Sequence, residues 1–169
     1  MSPLDLPADV IAVFQAFRTC EFTTLAKDGT PITWPTLPFF DAEQGRFVIT
    51  TSIALAQKAI NIRRNPRVSL LFSDPTACGL PEPPAVLVQG DAVAPDEIIT
   101  AIKGSEDQLQ MVFERQPSSG IYSGNPLMRY LFDWYYMRLI MVITPRRVRW
   151  WPQGDFTRAA QAIEVAHVG

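Results

Sequence analysis

Apolar and polar positions along this chain alternate in short runs separated by turn residues, and sustained helical spacing is the exception. From Asp9 to Arg18 the apolar residues Val10, Ile11, Phe14 and Phe17 recur at helical intervals just after Pro7, which predicts a covering helix with one buried stripe. Two strand-like runs, Cys20 to Ala26 and Ile32 to Phe40, flank Lys27-Asp28-Gly29-Thr30, where Asp-Gly favours a tight hairpin because glycine accepts positive φ. The second run, PITWPTLPFF, contains Pro31, Pro35 and Pro38; each withholds an N–H, so this strand is expected to be bent or partly unpaired. Asp41 to Arg46 makes the next turn and Phe47 to Thr51 a third strand. A helix of about ten residues then runs to Arg64, ended by Asn65-Pro66 because the residue before proline avoids helical angles.

Val68 to Phe72 predicts a fourth strand, Ser73 to Pro84 a proline-rich loop, and AVLVQGDAVA a fifth strand with a bulge at Gly90. Asp96 to Arg115 reads as helix interrupted near Gly104-Ser105, and Gln116 to Pro126 as a loop long enough to cover a site. Tyr135 to Thr144 and Arg147 to Trp151 are the expected last two strands, with a helix from Phe156 onward. There is neither an internal repeat nor a linker that would separate two cores, so residues 1–169 form one domain. With hairpins outnumbering crossovers, the expected fold is mainly β: an antiparallel barrel of about six to seven strands with helical covers.

Composition narrows the function classes. A chain of 169 residues, 47% hydrophobic and 19% charged, builds a globular core without staples, and its fifteen prolines suit a loop-rich β architecture. A formal net charge of −2 supplies no positive field for nucleic acid or an acidic membrane. Cys20 and Cys78 have no CxxC spacing, and MSPLDLPADV has neither a basic nor an apolar leader region, so a reduced, cytoplasmic protein is expected. The most apolar segment, Leu127 to Ile143, includes Arg129, Asp133 and Arg138 and is short for a membrane span; it reads as core. His167 is the single histidine, which argues against a zinc pair or a Ser or Cys triad. No metal site is expected and no catalytic side chain stands out, so any chemistry is borrowed from a cofactor.

The stretch VITTSIALAQKAINIRRNPRVSLLF carries the candidate chemistry. At the passage from strand to helix, Thr50, Thr51 and Ser52 are suited to capping, and equally suited to joining the helix N–H groups in seating a phosphate. Lys58, two turns in, is either a solvated lysine or a cation arching back to that anion. Arg63, Arg64 and Arg67 complement the helix dipole or offer a second anionic contact, and Arg146, Arg147 and Arg149 read as a solvated strand face or another such contact. Of Trp150 and Trp151, only one enters the core, because successive strand side chains face opposite ways; the other meets a groove, a partner or a ligand. Trp34, between strand prolines, poses the same choice.

Taken together, the bent second strand, the third strand ending in Thr-Thr, QKAINIRRNPRVSLLF and VLVQGDA resemble the pyridoxamine 5′-phosphate oxidase-like family over roughly residues 20 to 95. The resemblance implies a split β-barrel that dimerises and holds FMN, or in some branches the deazaflavin coenzyme F420, in clefts between subunits. It implies that Lys58 is the phosphate-binding lysine, with Gln57 where many members have a second basic residue. Thr50 and Thr51 fall on the segment lining the cofactor from the third strand; Thr33, Trp34, Pro35 and Thr36 fall on the one facing the isoalloxazine edge. Trp151 resembles the last-strand tryptophan of the vitamin B6 oxidases, whose arginine and histidine for pyridoxal phosphate have no counterpart in PQGDFTRAAQ. The implied activity is a flavin- or deazaflavin-dependent oxidoreductase on an unidentified small organic substrate, with a non-catalytic flavin sensor or carrier as the reading from another class.

Overall fold

The structure, a computed structural model, describes residues 4–100 and 137–165. The readings placed on 101–136, including the loop 116–126, and on His167 lie outside the described residues. Among the described residues nine strands form one antiparallel sheet: β1 (Cys20–Leu25), β2 (Pro31–Thr36), β3 (Phe39–Asp41), β4 (Arg46–Ser52), β5 (Arg67–Phe72), β6 (Ala85–Val93), β7 (Ile98–Thr100), β8 (Met137–Trp151) and β9 (Gln161–Glu164). The main path runs β2-β1-β5-β6-β8-β4-β3, and β7 and β9 pair with β8. The sheet curls into a half-barrel with two α-helices among the described residues, α1 (Ala8–Ala16) and α2 (Gln57–Arg64).

Local chemistry accounts for the hairpin and for the break in strand two. Gly29, at φ 85°, donates to the Ala26 carbonyl, and Asp28 Oδ1 accepts from the Thr30 N–H at 3.0 Å. Pro38 interrupts the proline-bearing run, which splits into β2, on the sheet edge where missing N–H groups are tolerated, and β3 at the other end of the sheet path.

α1 plugs the half-barrel. Phe14 sits 4.9 Å from Phe47 edge to face, 5.0 Å from Phe40 and 5.3 Å from Phe72. Contacts of this kind add about 0.5–1.5 kcal/mol each beyond burial.

Four expectations are corrected. The two last strands are one, β8, which pairs with β6 and β7 along one edge and with β4 and β9 along the other. Its inward positions are Met141, Ile143 and Pro145, then Val148 and Trp150, so the burial phase slips at Arg146 without breaking the strand. The slip is the bulge foreseen at Gly90: Gln89 faces Arg147 and Gly90 faces Pro145, which leaves Arg146 as the extra residue.

Helix was expected from Asp96, but Ile98–Thr100 is β7, because bare ladder groups on β8 hold it in register. Helix was likewise expected from Phe156, where a turn leads into β9 along residues 147–150 of β8. Finally, the crossover helix is divided into a 3-10 turn over Ile53–Leu55 and α2 from Gln57. These differences raise the strand number among the described residues to nine while leaving the antiparallel architecture as expected.

Candidate functional site

α2 lies against β1, and one face of it carries the site. Asn61, fully buried, anchors that face: its amide donates to the buried Thr24 hydroxyl at 2.9 Å, and its Oδ1 accepts from Gln57 Nε2 and Arg64, each at 2.9 Å. Arg64 also donates to the Leu25 carbonyl at 3.0 Å. A buried amide with these partners ties helix to strand, and it fixes what lies one turn earlier on the same face.

That residue is Lys58. Its ammonium stands 5.0 Å from the centroid of the Trp34 ring, within reach of cation–π attraction. Burial pushes the Lys58 pKa below the ordinary lysine value, and among the described residues no carboxylate lies within ion-pair distance. The helix start beside it has no side-chain cap, since Ala56 precedes it, and a helix start leaves several N–H donors without intrahelical partners. The result is a half-buried cation beside open backbone donors and an aromatic ring, an arrangement that suits a phosphate ester joined to a planar group.

The other predicted residues divide. Trp34 and Thr36 lie on the β2 face turned toward Lys58, and Thr36 Oγ1 donates to the Trp34 carbonyl at 3.3 Å. Thr33 and Pro35 are on the exposed face, where the Thr33 and Thr23 hydroxyls are 2.8 Å apart. Thr51 and Ser52 are buried and turned to local bonds: Ser52 caps the 3-10 turn, accepting from the Ala54 N–H at 3.4 Å, and Thr51 donates to the Leu55 carbonyl at 3.2 Å. Thr50 is half-buried and its hydroxyl makes no hydrogen bond among the described residues. Gln57 is exposed and holds Asn61.

Trp151 is not part of this group within one chain. Thr50 and Thr51 pair with Ile140 and Leu139 near the start of β8, whereas Trp151 ends that strand and packs on Phe156 with ring centroids 5.0 Å apart. Trp150 is the tryptophan that enters the core.

Two arginines weighed as anion contacts are committed elsewhere. Arg63 donates to the carbonyls of Ala94 (2.8 Å) and Pro95 (2.7 Å) and pairs with Asp96 at 2.7 Å, which clasps the chain leading into β7. Arg64 is held by Asn61 and Leu25.

Asn61 itself was missed as a site residue. Its signal was a polar, weak helix former inside a short helix, between Ala59 and Ile62, both of them buried.

The family profile described as pyridoxamine 5′-phosphate oxidase matches residues 6–108. Among solved structures, a Clostridium acetobutylicum protein related to general stress protein 26 of B. subtilis, of the pyridoxinephosphate oxidase family, superposes with a TM-score of 0.57 at 11% identity, covering 93% of this chain and 92% of its own. A heme binding protein from Mycobacterium smegmatis gives 0.57 at 17% identity, over 96% of this chain and 60% of its own. An F420 reductase gives 0.50 at 22% identity, over 77% and 87%. No curated protein matches the sequence significantly.

Proposed function

This chain belongs to the pyridoxamine 5′-phosphate oxidase family, and we propose that it is an FMN-dependent oxidoreductase that acts, as a homodimer, on a small organic substrate. One observation carries the reading: the half-buried Lys58 ammonium has no carboxylate partner among the described residues and points at an aromatic ring beside an uncapped helix start. An anion of the size of a phosphate monoester satisfies all three features together. Lys58 and the first-turn amides of α2 hold it, the Thr50 hydroxyl is free to add a donor, and Asn61 keeps Lys58 in position.

Bound flavin supplies the redox chemistry, accepting hydride or electrons itself. The chain's part is to seat it, to keep water from the Trp34 side, and to lend a second aromatic wall. In the homodimer we assign that wall to Trp151 of the partner subunit, because within one chain Trp151 lies at the far end of β8.

The deazaflavin coenzyme is the second reading, supported by the fold shared with an F420 reductase. Its acidic tail calls for additional cations, and Arg63 and Arg64 are already engaged, which leaves Arg67. This favours FMN.

Purifying the protein, denaturing it and identifying the released chromophore by mass tests the proposal. FMN supports it; F420 moves the assignment to the second reading; heme, or no chromophore together with no uptake of added FMN, overturns it. Anaerobic NADH or NADPH then separates an enzyme, whose flavin bleaches, from a passive carrier, whose flavin does not.

A further inference from the structure

The bulge in β8 does more than bend the strand. Successive strand residues normally face opposite sides of a sheet, yet Arg146 and Arg147 line the same cavity, because Arg146 is the extra residue and shifts the alternation by one. The backbone is built for this. Pro145 withholds an N–H at the slip, and Gly90 approaches so closely that a Cβ there would collide with the Thr144 carbonyl.

The cavity, about 380 Å³, is also lined by Arg67, Gln89 and Glu164, with Val68 and Gly90 completing the wall. Three arginines from two strands therefore line it with one carboxylate, and a second carboxylate, Asp91, lies opposite Arg67 in the ladder between β5 and β6. Arg146 pairs with Asp91 at 3.1 Å, outside the lining, and Arg147 lies 2.9 Å from Glu164. Arg67 has no ion pair among the described residues. The Arg147 Nε is buried, and its contact with Glu164 is an ion pair that is not aligned as a hydrogen bond. Glu164 and Asp91 are both solvent-accessible, and exposed pairs of this kind give way readily to a better acceptor.

We propose that this cavity is a binding site for a small oxyanion of the phosphate class, separate from the Lys58 recess. Guanidinium groups converging from β5 and β8, with the Gln89 amide on β6 between them, suit a tetrahedral anion that offers several oxygens in different directions. The site does not depend on the flavin assignment, because none of its residues belongs to the Lys58 recess.

The test is calorimetric titration of inorganic phosphate into the purified full chain at low ionic strength. Wild type is expected to show a saturable site that survives Lys58→Ala. Arg67→Ala and Arg146→Ala each weaken it about tenfold or more, as expected for the loss of a charge-assisted contact. Glu164→Gln tightens binding, because it removes the carboxylate that competes for Arg147, an effect that a purely structural role for the Arg147–Glu164 pair would not produce. The absence of saturable binding in wild type overturns the proposal. So does binding that is lost in Lys58→Ala and kept in Arg67→Ala and Arg146→Ala, which would assign the phosphate to the other recess. Circular dichroism melts of each variant separate a lost site from a lost fold.

Discussion

The Lys58 ammonium stands 5.0 Å from the centroid of the Trp34 ring, so a helix cation and an edge-strand aromatic share one recess. The ring orients the ammonium without using its hydrogen-bond donors, at about 0.5–2 kcal/mol of attraction. A phosphate arriving there gains charge-assisted hydrogen bonds contributing about 1.5–3 kcal/mol each. Lys58→Ala is therefore expected to weaken FMN binding by about tenfold to a hundredfold, read from quenching of flavin fluorescence. Equal affinity in the variant would remove Lys58 from the cofactor site.

The same lysine sets a pH dependence. Burial lowers its pKa below 10.5 in the folded protein. Folding thus disfavours the charged form: the penalty is present at pH values below the folded pKa and is relieved as pH rises through it. Anion binding runs the opposite way, because it needs the ammonium. FMN affinity is expected to be full near neutrality and to decline as pH rises through the lowered value, earlier than for an ordinary lysine; the phosphate stays a dianion throughout. Lys58→Arg should flatten this decline, since a guanidinium remains protonated. Parallel affinity curves for the two proteins between about pH 7 and 10 would contradict the assignment.

Asn61 makes a separate claim on stability. Asn61→Leu removes the partner of the buried Thr24 hydroxyl and the acceptor for Gln57 and Arg64. A buried polar group left unsatisfied costs about 1–3 kcal/mol, so urea denaturation should show a loss of about 2–3 kcal/mol. FMN affinity should fall as well, because α2 loses its tie to β1. A variant as stable as wild type would mean that the network is ornamental.

Gly90 is a backbone requirement, not a flexible spot. A Cβ there would collide with the Thr144 carbonyl and lie 3.1 Å from the Pro145 Cα, all of it backbone that cannot rotate away. Gly90→Ala is expected to destabilise the fold by about 1–3 kcal/mol, the usual range for overpacking, in thermal or urea unfolding. Unchanged stability in Gly90→Ala would mean that the ladder between β6 and β8 relaxes around the added methyl.

Much of the fold was legible because it is set by neighbours in the chain. Asp28-Gly29 specifies its own turn, Pro38 its own break and Asn65-Pro66 its own helix stop, and the alternation in β1, β4, β5 and β6 already separates inward from outward residues. Lys58 as the candidate cation was legible too, through residue type and spacing. Which partner each long side chain chooses was not legible. Arg63 and Arg64 look as ready for an anion as Lys58 in sequence, yet the carbonyls of Ala94, Pro95 and Leu25 take them, while burial next to Trp34 leaves Lys58 without a carboxylate. Nor does local pattern show that two short strands are one, since β8 is continuous only because four other strands supply hydrogen bonds along its edges. Turns and caps answer to interactions within a few residues. The use of each charge, and the phase of a long strand, answer to atoms that come close only when the chain has closed on itself.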